Sequence, residues 1–226
     1  MTNSRKYYEA YDDRFRQVHK EGLRWFSSAH SPILAEVIDS FGIAKSASVL
    51  EIGCGEGRDA AFLLQNGFQL LATDVSPAAV SYCRERNPEY EASFAVLDCL
   101  TQRLDRKFDF IYAVAVIHML VLDEDRDGFY RFVRDQLEPD GIALICTMGN
   151  GELERKSDID TAFDLQERIH EQTGRTLSIA GTSCRIVNFD TFLEELRKNG
   201  LSVIKHGITA IEPDFPQMMY AVVKRN

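Results

Sequence analysis

The stretch Val49-Leu50-Glu51-Ile52-Gly53-Cys54-Gly55-Glu56-Gly57-Arg58-Asp59 decides the fold. A short apolar run stops at a glycine-rich turn, and a helix-compatible run, Asp59–Asn66, begins beyond it. Glycine suits the turn because the chain reverses sharply, can take positive φ, and lets a ligand touch backbone with no Cβ in the way. Such a turn alone carries little information. At the first strand–helix junction of an alternating chain it carries much more.

Working downstream, Gly67 stops the helix and Leu70–Asp74 reads as a second strand. Ser76-Pro77 opens another helix, and Phe94–Asp98 and Phe108–Val116 read as strands. Asp125–Leu137 carries an apolar helical face, and Ile142–Thr147 is a fifth strand. Upstream, Ser31 and Pro32 open a helix with the stripe Ile33, Leu34, Val37, Ile38 and Phe41, ended by Gly42. Strands that are apolar throughout, alternating with helices, predict an α/β fold: a doubly wound parallel sheet with both faces covered.

The pattern changes at both ends. Ser4 to Ser28 is charged and aromatic-rich, with Tyr7, Tyr8, Tyr11, Phe15, Trp25 and Phe26, and predicts one or two rim helices. Residues 150–186 are polar and acidic, with a helix predicted at Ile159–Glu171. A helix at Thr191–Lys198 and strands at Leu201–Ile208 and Met218–Lys224 follow, the last two close enough to pair antiparallel. We therefore expect a single domain over residues 1–226, with an N-terminal helical cap at 1–29 and an insert at 150–186. That insert follows a strand's carboxyl end, where open α/β sheets place ligand lids; a surface excursion without function is the other reading.

Composition narrows the function. The chain has 226 residues, 45% apolar and 27% charged, which fits one domain with a real core. With 26 Lys and Arg against 35 Asp and Glu, the net charge of −9 speaks against nucleic acid and anionic membranes as partners. The apolar run Ile111–Leu122 is too short to span a bilayer. The N-terminal run has no apolar h-region, and the expected location is cytoplasmic. Five cysteines without a C-x-x-C pair form neither a disulfide framework nor a zinc site, and no metal is expected.

The strand ends specify a ligand. Asp74 ends the second strand, where a carboxylate can accept from ribose hydroxyls. Asp98 ends the third, where a carboxylate can accept from an adenine amino group. Glycine loop, ribose acceptor and base acceptor together imply an adenine nucleoside. The loop departs from the dinucleotide pattern G-x-G-x-x-G: its glycines stand at 53, 55 and 57, with Arg58 in the third place. Glu51 and Glu56 add negative charge near any pyrophosphate, so a cofactor with a positive centre suits the site better than NAD.

At these residues the sequence resembles the class I S-adenosylmethionine-dependent methyltransferases. Glu51-Ile-Gly53-Cys-Gly55-Glu-Gly57 resembles their first motif, Asp74 their ribose-binding acid, and Val96-Leu97-Asp98-Cys99 their adenine-side motif. Phe108–Ala113 resembles their fourth strand, and Leu137-Glu138-Pro139-Asp140-Gly141 the turn before their fifth, with Asp140 departing from glycine. The stretch Gly55–Leu63 with Asn66-Gly67-Phe68 looks most like the small-molecule and tellurite-resistance-type branch. The resemblance implies a seven-stranded Rossmann-like sheet in the order 3-2-1-4-5-7-6, the last strand antiparallel. It implies S-adenosylmethionine as methyl donor and S-adenosylhomocysteine as product. It also implies a cofactor site of Glu51, Gly53, Cys54, Gly55, Gly57, Arg58, Asp74, Val75, Asp98, Cys99 and Val114. Of the N-terminal aromatics, Tyr11 and Trp25 are the ones expected to close over the methionine end, packing between helices being the other reading.

Methyl transfer is an in-line displacement that needs positioning and water exclusion more than a dedicated acid or base. His118, after the fourth strand, is the candidate base; a histidine packed among apolar neighbours is the other reading. Arg58 can pair with a cofactor carboxylate or with Glu56, and Arg155, Arg175 and Arg185 can meet an acid group on the acceptor. His170 and His206 show no evident partner. The fourth-strand end, Ala113-Val-Ala-Val-Ile-His118, lacks the D/N-P-P-Y/F motif of amino methyltransferases, which favours a small-molecule acceptor. A nicotinamide oxidoreductase and a catalytically silent nucleoside-binding protein are the alternatives. Oligomeric state is left open.

Overall fold

The structure is a computed structural model that describes residues 5–27 and 29–226. Residues 1–4 and 28, which belong to the expected cap, lie outside the described residues.

A 3-10 turn, Tyr7–Glu9, leads into α1 (Ala10–Lys20). The alternating region follows as α2 (Pro32–Phe41), β1 (Ser48–Ile52), α3 (Arg58–Gln65), β2 (Gln69–Asp74), α4 (Pro77–Arg86), β3 (Phe94–Val96), β4 (Phe108–Val114), α5 (Asp123–Gln136) and β5 (Leu137–Met148). Four short strands come next: β6 (Arg155–Lys156), β7 (Leu165–Ile169), β8 (Thr176–Ala180) and β9 (Arg185–Ile186). The chain closes with α6 (Phe189–Lys198), β10 (Leu201–Ile211) and β11 (Phe215–Arg225).

The main sheet has seven strands in the order β10-β11-β5-β4-β1-β2-β3. Its pairs are parallel except those made by β11, which runs antiparallel to β5 and β10. This is the expected order 3-2-1-4-5-7-6, with the last strand reversed. Successive residues of each strand feed opposite faces. Leu50, Ile52, Ile111, Ala143 and Ile145 pack with Phe129, Phe132 and Val133 of α5 and Phe192 and Leu196 of α6. Val49, Phe110, Tyr112, Leu144 and Cys146 pack with Leu34 and Val37 of α2, Leu63 of α3 and Val80 of α4. Full coverage of both faces is why the strands read as continuous apolar runs.

The helix predicted at Ile159–Glu171 is not formed. Turns occupy that region up to residue 164, and β7 and β8 then pair as an antiparallel hairpin. Leu177 and Ile179 alternate inward from β8 onto Val18 of α1, alongside Leu23 and Trp25. Two-residue alternation over Thr176–Ala180, with Gly174 at φ 68° in the connecting turn, prevails over the helical spacing read upstream. The third strand is also shorter than predicted, stopping at Val96 because the Asp98 carboxylate accepts the Leu100 N–H and turns the chain. Among the described residues no helix is long and apolar enough to cross a membrane.

Candidate functional site

At the carboxyl ends of β1, β2 and β4, α1 and the Arg24–Phe26 segment lie over a cleft with about 1000 Å³ of space, its open mouth included. That is room for a ligand of nucleoside size. The glycine loop forms one wall. Gly53 sits at φ 74°, and a Cβ there would stand 2.4 Å from Val116 Cγ2. Its N–H and that of Cys54 donate to the Thr73 carbonyl at 2.7 and 2.9 Å, which locks the loop to β2. A Cβ on Gly57 would meet Cys83 Sγ at 2.8 Å, so this glycine packs the loop onto α4 from beneath and does not face the cleft.

Three carboxylates from successive strand ends face the same space. Asp74 accepts the N–H groups of Gly55 and Ser76 at 2.8 and 2.9 Å. Burial raises its pKa to about 6, against those two bonds. Glu51 is 3% exposed, and its Oε2 has no hydrogen-bond partner among the described residues. Burial and the neighbouring Asp59 push its carboxyl well above the usual range. Tyr112, its register partner on β4, also carries a hydroxyl without a hydrogen-bond partner among the described residues. Asp98 accepts from Tyr8 at 3.2 Å and from Thr101 at 2.9 Å. Val75, Cys99, Val114 and Cys54 complete the part of the lining that the sequence pointed to.

Glu56 and Arg58 have different partners from those expected. The buried Glu56 carboxylate accepts the Trp25 and Phe26 N–H groups at 2.8 and 2.9 Å and meets His19 Nε2 at 2.9 Å. It therefore ties the N-terminal segment to the glycine loop and is not available to Arg58. Arg58 pairs with Asp214 at 3.0 Å, beside the rings of Phe26 and Phe215. Asp59 accepts the Ser31 N–H and hydroxyl, both at 2.7 Å, so Ser31 stands at the start of α2 without capping it through its own side chain.

The cap is fastened at several points. Tyr11 donates to the Ser183 carbonyl at 3.0 Å, and Arg14 to the Gly181 carbonyl at 2.7 Å. Tyr7 donates to Asp125 at 2.7 Å and accepts from Val121 at 2.9 Å. Asp12 accepts from Ser76 at 2.6 Å, joining α1 to the start of α4. Tyr11, Tyr8, Phe15 and Phe26 reach the cleft; Phe15 Cζ lies 3.6 Å from the position of a Cβ on Gly55. Trp25 does not line it. Its ring packs beside His170 and under Arg14, because the Glu56 bonds turn the neighbouring backbone the other way.

His118 is 3% exposed and lies behind the lining, edge-on to Phe215 with ring centroids 6.3 Å apart. Burial, with Arg126 and Arg14 nearby, pushes its pKa down to about 3, so the ring is neutral at pH 7. Its Nδ1 has no partner among the described residues. His170, which showed no partner in sequence, is buried and donates through Nε2 to the Arg24 carbonyl at 2.6 Å. Arg175 is taken by Glu21 and Arg185 by Asp123, while Arg155 is exposed on β6. Sequence reasoning passed over Arg24, Val116, Met119, Leu120 and Phe215 in the lining. Of these only Val116, Met119 and Leu120, flanking His118, carried a local signal. No group of three or more His, Cys, Asp or Glu among the described residues is placed to hold a metal.

Comparison with known proteins agrees with this geometry. Residues 50–143 match the family model of a methyltransferase domain. A malonyl-acyl-carrier protein O-methyltransferase of Acetivibrio thermocellus is 28% identical over 104 residues, covering 45% of this chain and 36% of that one. The chain spans 36–40% of the length of the curated relatives it matches. Among solved structures, the glycopeptide N-methyltransferase MtfA complexed with S-adenosyl-L-methionine has a TM-score of 0.64 at 24% identity, covering 90% of this chain and 97% of its own. The CcbJ methyltransferase of Streptomyces caelestis reaches 0.71 at 16% identity, covering 96% of this chain and 98% of its own. The match over residues 50–143, the strand order and the glycine loop make this chain similar, in that domain and in fold, to the class I S-adenosylmethionine-dependent methyltransferases.

Proposed function

We propose that this chain transfers the methyl group of S-adenosylmethionine to a small-molecule acceptor held under the N-terminal cap. The observation that carries the reading is the convergence of Glu51, Asp74 and Asp98 with the glycine loop in one aromatic-covered cleft. The orphaned Oε2 of Glu51 is the fit test: a buried carboxylate oxygen with no partner suits a ligand that brings a cationic donor. Gly53 lets the loop backbone pass close against Val116, where a Cβ would stand 2.4 Å from Val116 Cγ2.

Under this reading Asp74 accepts the ribose hydroxyls with the lone pairs that Gly55 and Ser76 leave open. Asp98, Cys99 and Leu97 border the adenine, and Val75 and Val114 flank the nucleoside. Glu51 faces the amino-acid end together with Gly53, Cys54 and Arg58. When bound, the cofactor supplies a methyl group on a sulfonium, an activated carbon that needs no general acid. The residues hold donor and acceptor collinear and keep water out, with Phe15, Tyr11 and Phe26 as the cover. His118 is already in its proton-accepting form at pH 7, but its low pKa makes it a weak base, so its share of the rate is small. The domain organisation follows the same reading: one unit, with cap and 150–186 insert on the acceptor side.

The test is transfer of labelled methyl from S-adenosylmethionine across a panel of small acids, amines, phenols and thiols. Label appearing in one class, with S-adenosylhomocysteine formed in equal amount, supports the reading. Cofactor binding without transfer to any of them favours the catalytically silent alternative.

A further inference from the structure

Five carboxylates line the cleft, and two arginines accompany them. Arg58 is already neutralised by Asp214. Arg24 is not: among the described residues no carboxylate lies within ion-pair distance of it. Among the described residues its Nε is buried without a partner, and its one side-chain bond is a long 3.4 Å contact from Nη2 to the Ser27 carbonyl. The residue is nevertheless held firmly. Its own carbonyl accepts from His170, and the next two N–H groups are gripped by Glu56. A guanidinium fixed by its backbone, facing a cleft rich in carboxylates yet bonded to none, is preorganised for an anion that a ligand brings.

We propose that Arg24 is the anion-recognition residue of the cleft and takes a carboxylate in bidentate fashion. The inference rests on the methyltransferase reading for the cleft's occupants. Two carboxylates can come within reach: the amino-acid end of the cofactor, or an acid group on the acceptor. Arg155, Arg175 and Arg185, the sequence-level candidates for an acid group, are exposed or already paired, and none lines the cleft.

Calorimetry on the full chain and its R24Q and R24K variants separates the two sources. The probes are S-adenosylhomocysteine, 5′-methylthioadenosine (the same nucleoside without the amino-acid end), and benzoate against benzamide on protein saturated with S-adenosylhomocysteine. If the cofactor is the source, R24Q weakens S-adenosylhomocysteine by about tenfold or more and leaves 5′-methylthioadenosine unchanged. If the acceptor is the source, R24Q leaves both nucleosides unchanged and abolishes a benzoate preference over benzamide that R24K keeps. Unchanged binding of every probe by R24Q overturns the proposal, as does equal weakening of charged and uncharged probes, which marks a packing role. Failure of the wild type to bind either nucleoside breaks the methyltransferase reading instead; benzoate binding to the free protein, lost in R24Q, then still upholds the anion site. Thermal melts of the variants confirm that they fold.

Discussion

The floor of the cleft is assembled from neighbours in sequence, whereas its cap is fastened across the whole chain. On the floor, Gly55 N–H reaches Asp74 over 19 residues, one strand–helix–strand unit. In the cap, Tyr7 reaches Asp125 over 118 residues and Tyr11 reaches Ser183 over 172. The floor is therefore fixed by the same local rules that make the sheet: a strand end, a tight turn and a helix start. The cap depends on the sheet having formed, and on partners in an insert whose own structure is a hairpin. Loss of a floor residue should weaken binding more than loss of a cap residue.

Gly53→Ala should produce the largest change. Its Cβ would fall 2.4 Å from Val116 Cγ2 at a φ of 74° that alanine disfavours. We expect affinity for S-adenosylhomocysteine to drop by about 100-fold or more, with the sheet still folding cooperatively. Gly42→Ala, also at positive φ but with open space around it, should leave affinity unchanged and so serves as the control.

Asp74→Asn comes next, at about 10- to 100-fold. Its pH dependence is the sharper readout. Burial raises the Asp74 pKa from 3.8 to about 6, so the fold favours its protonated form. That contribution to stability is full below pH 4 and is lost as pH rises through about 6. The melting-temperature difference between wild type and Asp74→Asn should shrink in the wild type's disfavour over that window. Ribose hydroxyls donate best to an ionised carboxylate, so cofactor affinity should rise with pH over the same window in the wild type and rise less in the variant.

Glu56→Gln weakens the tie between cap and floor. It removes the charge that holds Trp25 N–H, Phe26 N–H and His19. Affinity should fall about tenfold. Hydrogen exchange should quicken at the Trp25 and Phe26 amides while those of β1 and β4 stay protected; uniform quickening would mean that cap and floor unfold as one. The smallest effect is expected for His118→Ala, a fall in turnover of less than about tenfold with cofactor affinity kept, because a base with a pKa near 3 contributes little at pH 7.

The same contrast explains what could be read from the chain alone. The stretch from Val49 to Asp59 and the acids at 74 and 98 stand at fixed offsets from strand ends, so periodicity places them. Arg24 and Phe215 have no such anchor. Arg24 looks like one charged residue among many in an N-terminal segment, and its place in the cleft comes from His170 gripping its carbonyl and Glu56 gripping the next two N–H groups. Phe215 reaches the cleft because β11 runs back antiparallel beside β5, a consequence of sheet order and not of local pattern. Trp25 misled for the converse reason. It is the one tryptophan of the segment, yet its backbone bonds turn its ring toward the hairpin. The helix expected at 159–171 failed because the hairpin's inward residues are chosen by what α1 offers them, Val18 above all.

The central claim is that the floor of this cleft holds the nucleoside of S-adenosylmethionine. Isothermal calorimetry of the full chain with S-adenosylhomocysteine and, separately, with NAD tests it most directly. We predict saturable one-to-one binding of S-adenosylhomocysteine that Gly53→Ala weakens by about 100-fold or more, and no heat from NAD. Saturable NAD binding with none for S-adenosylhomocysteine would contradict the account.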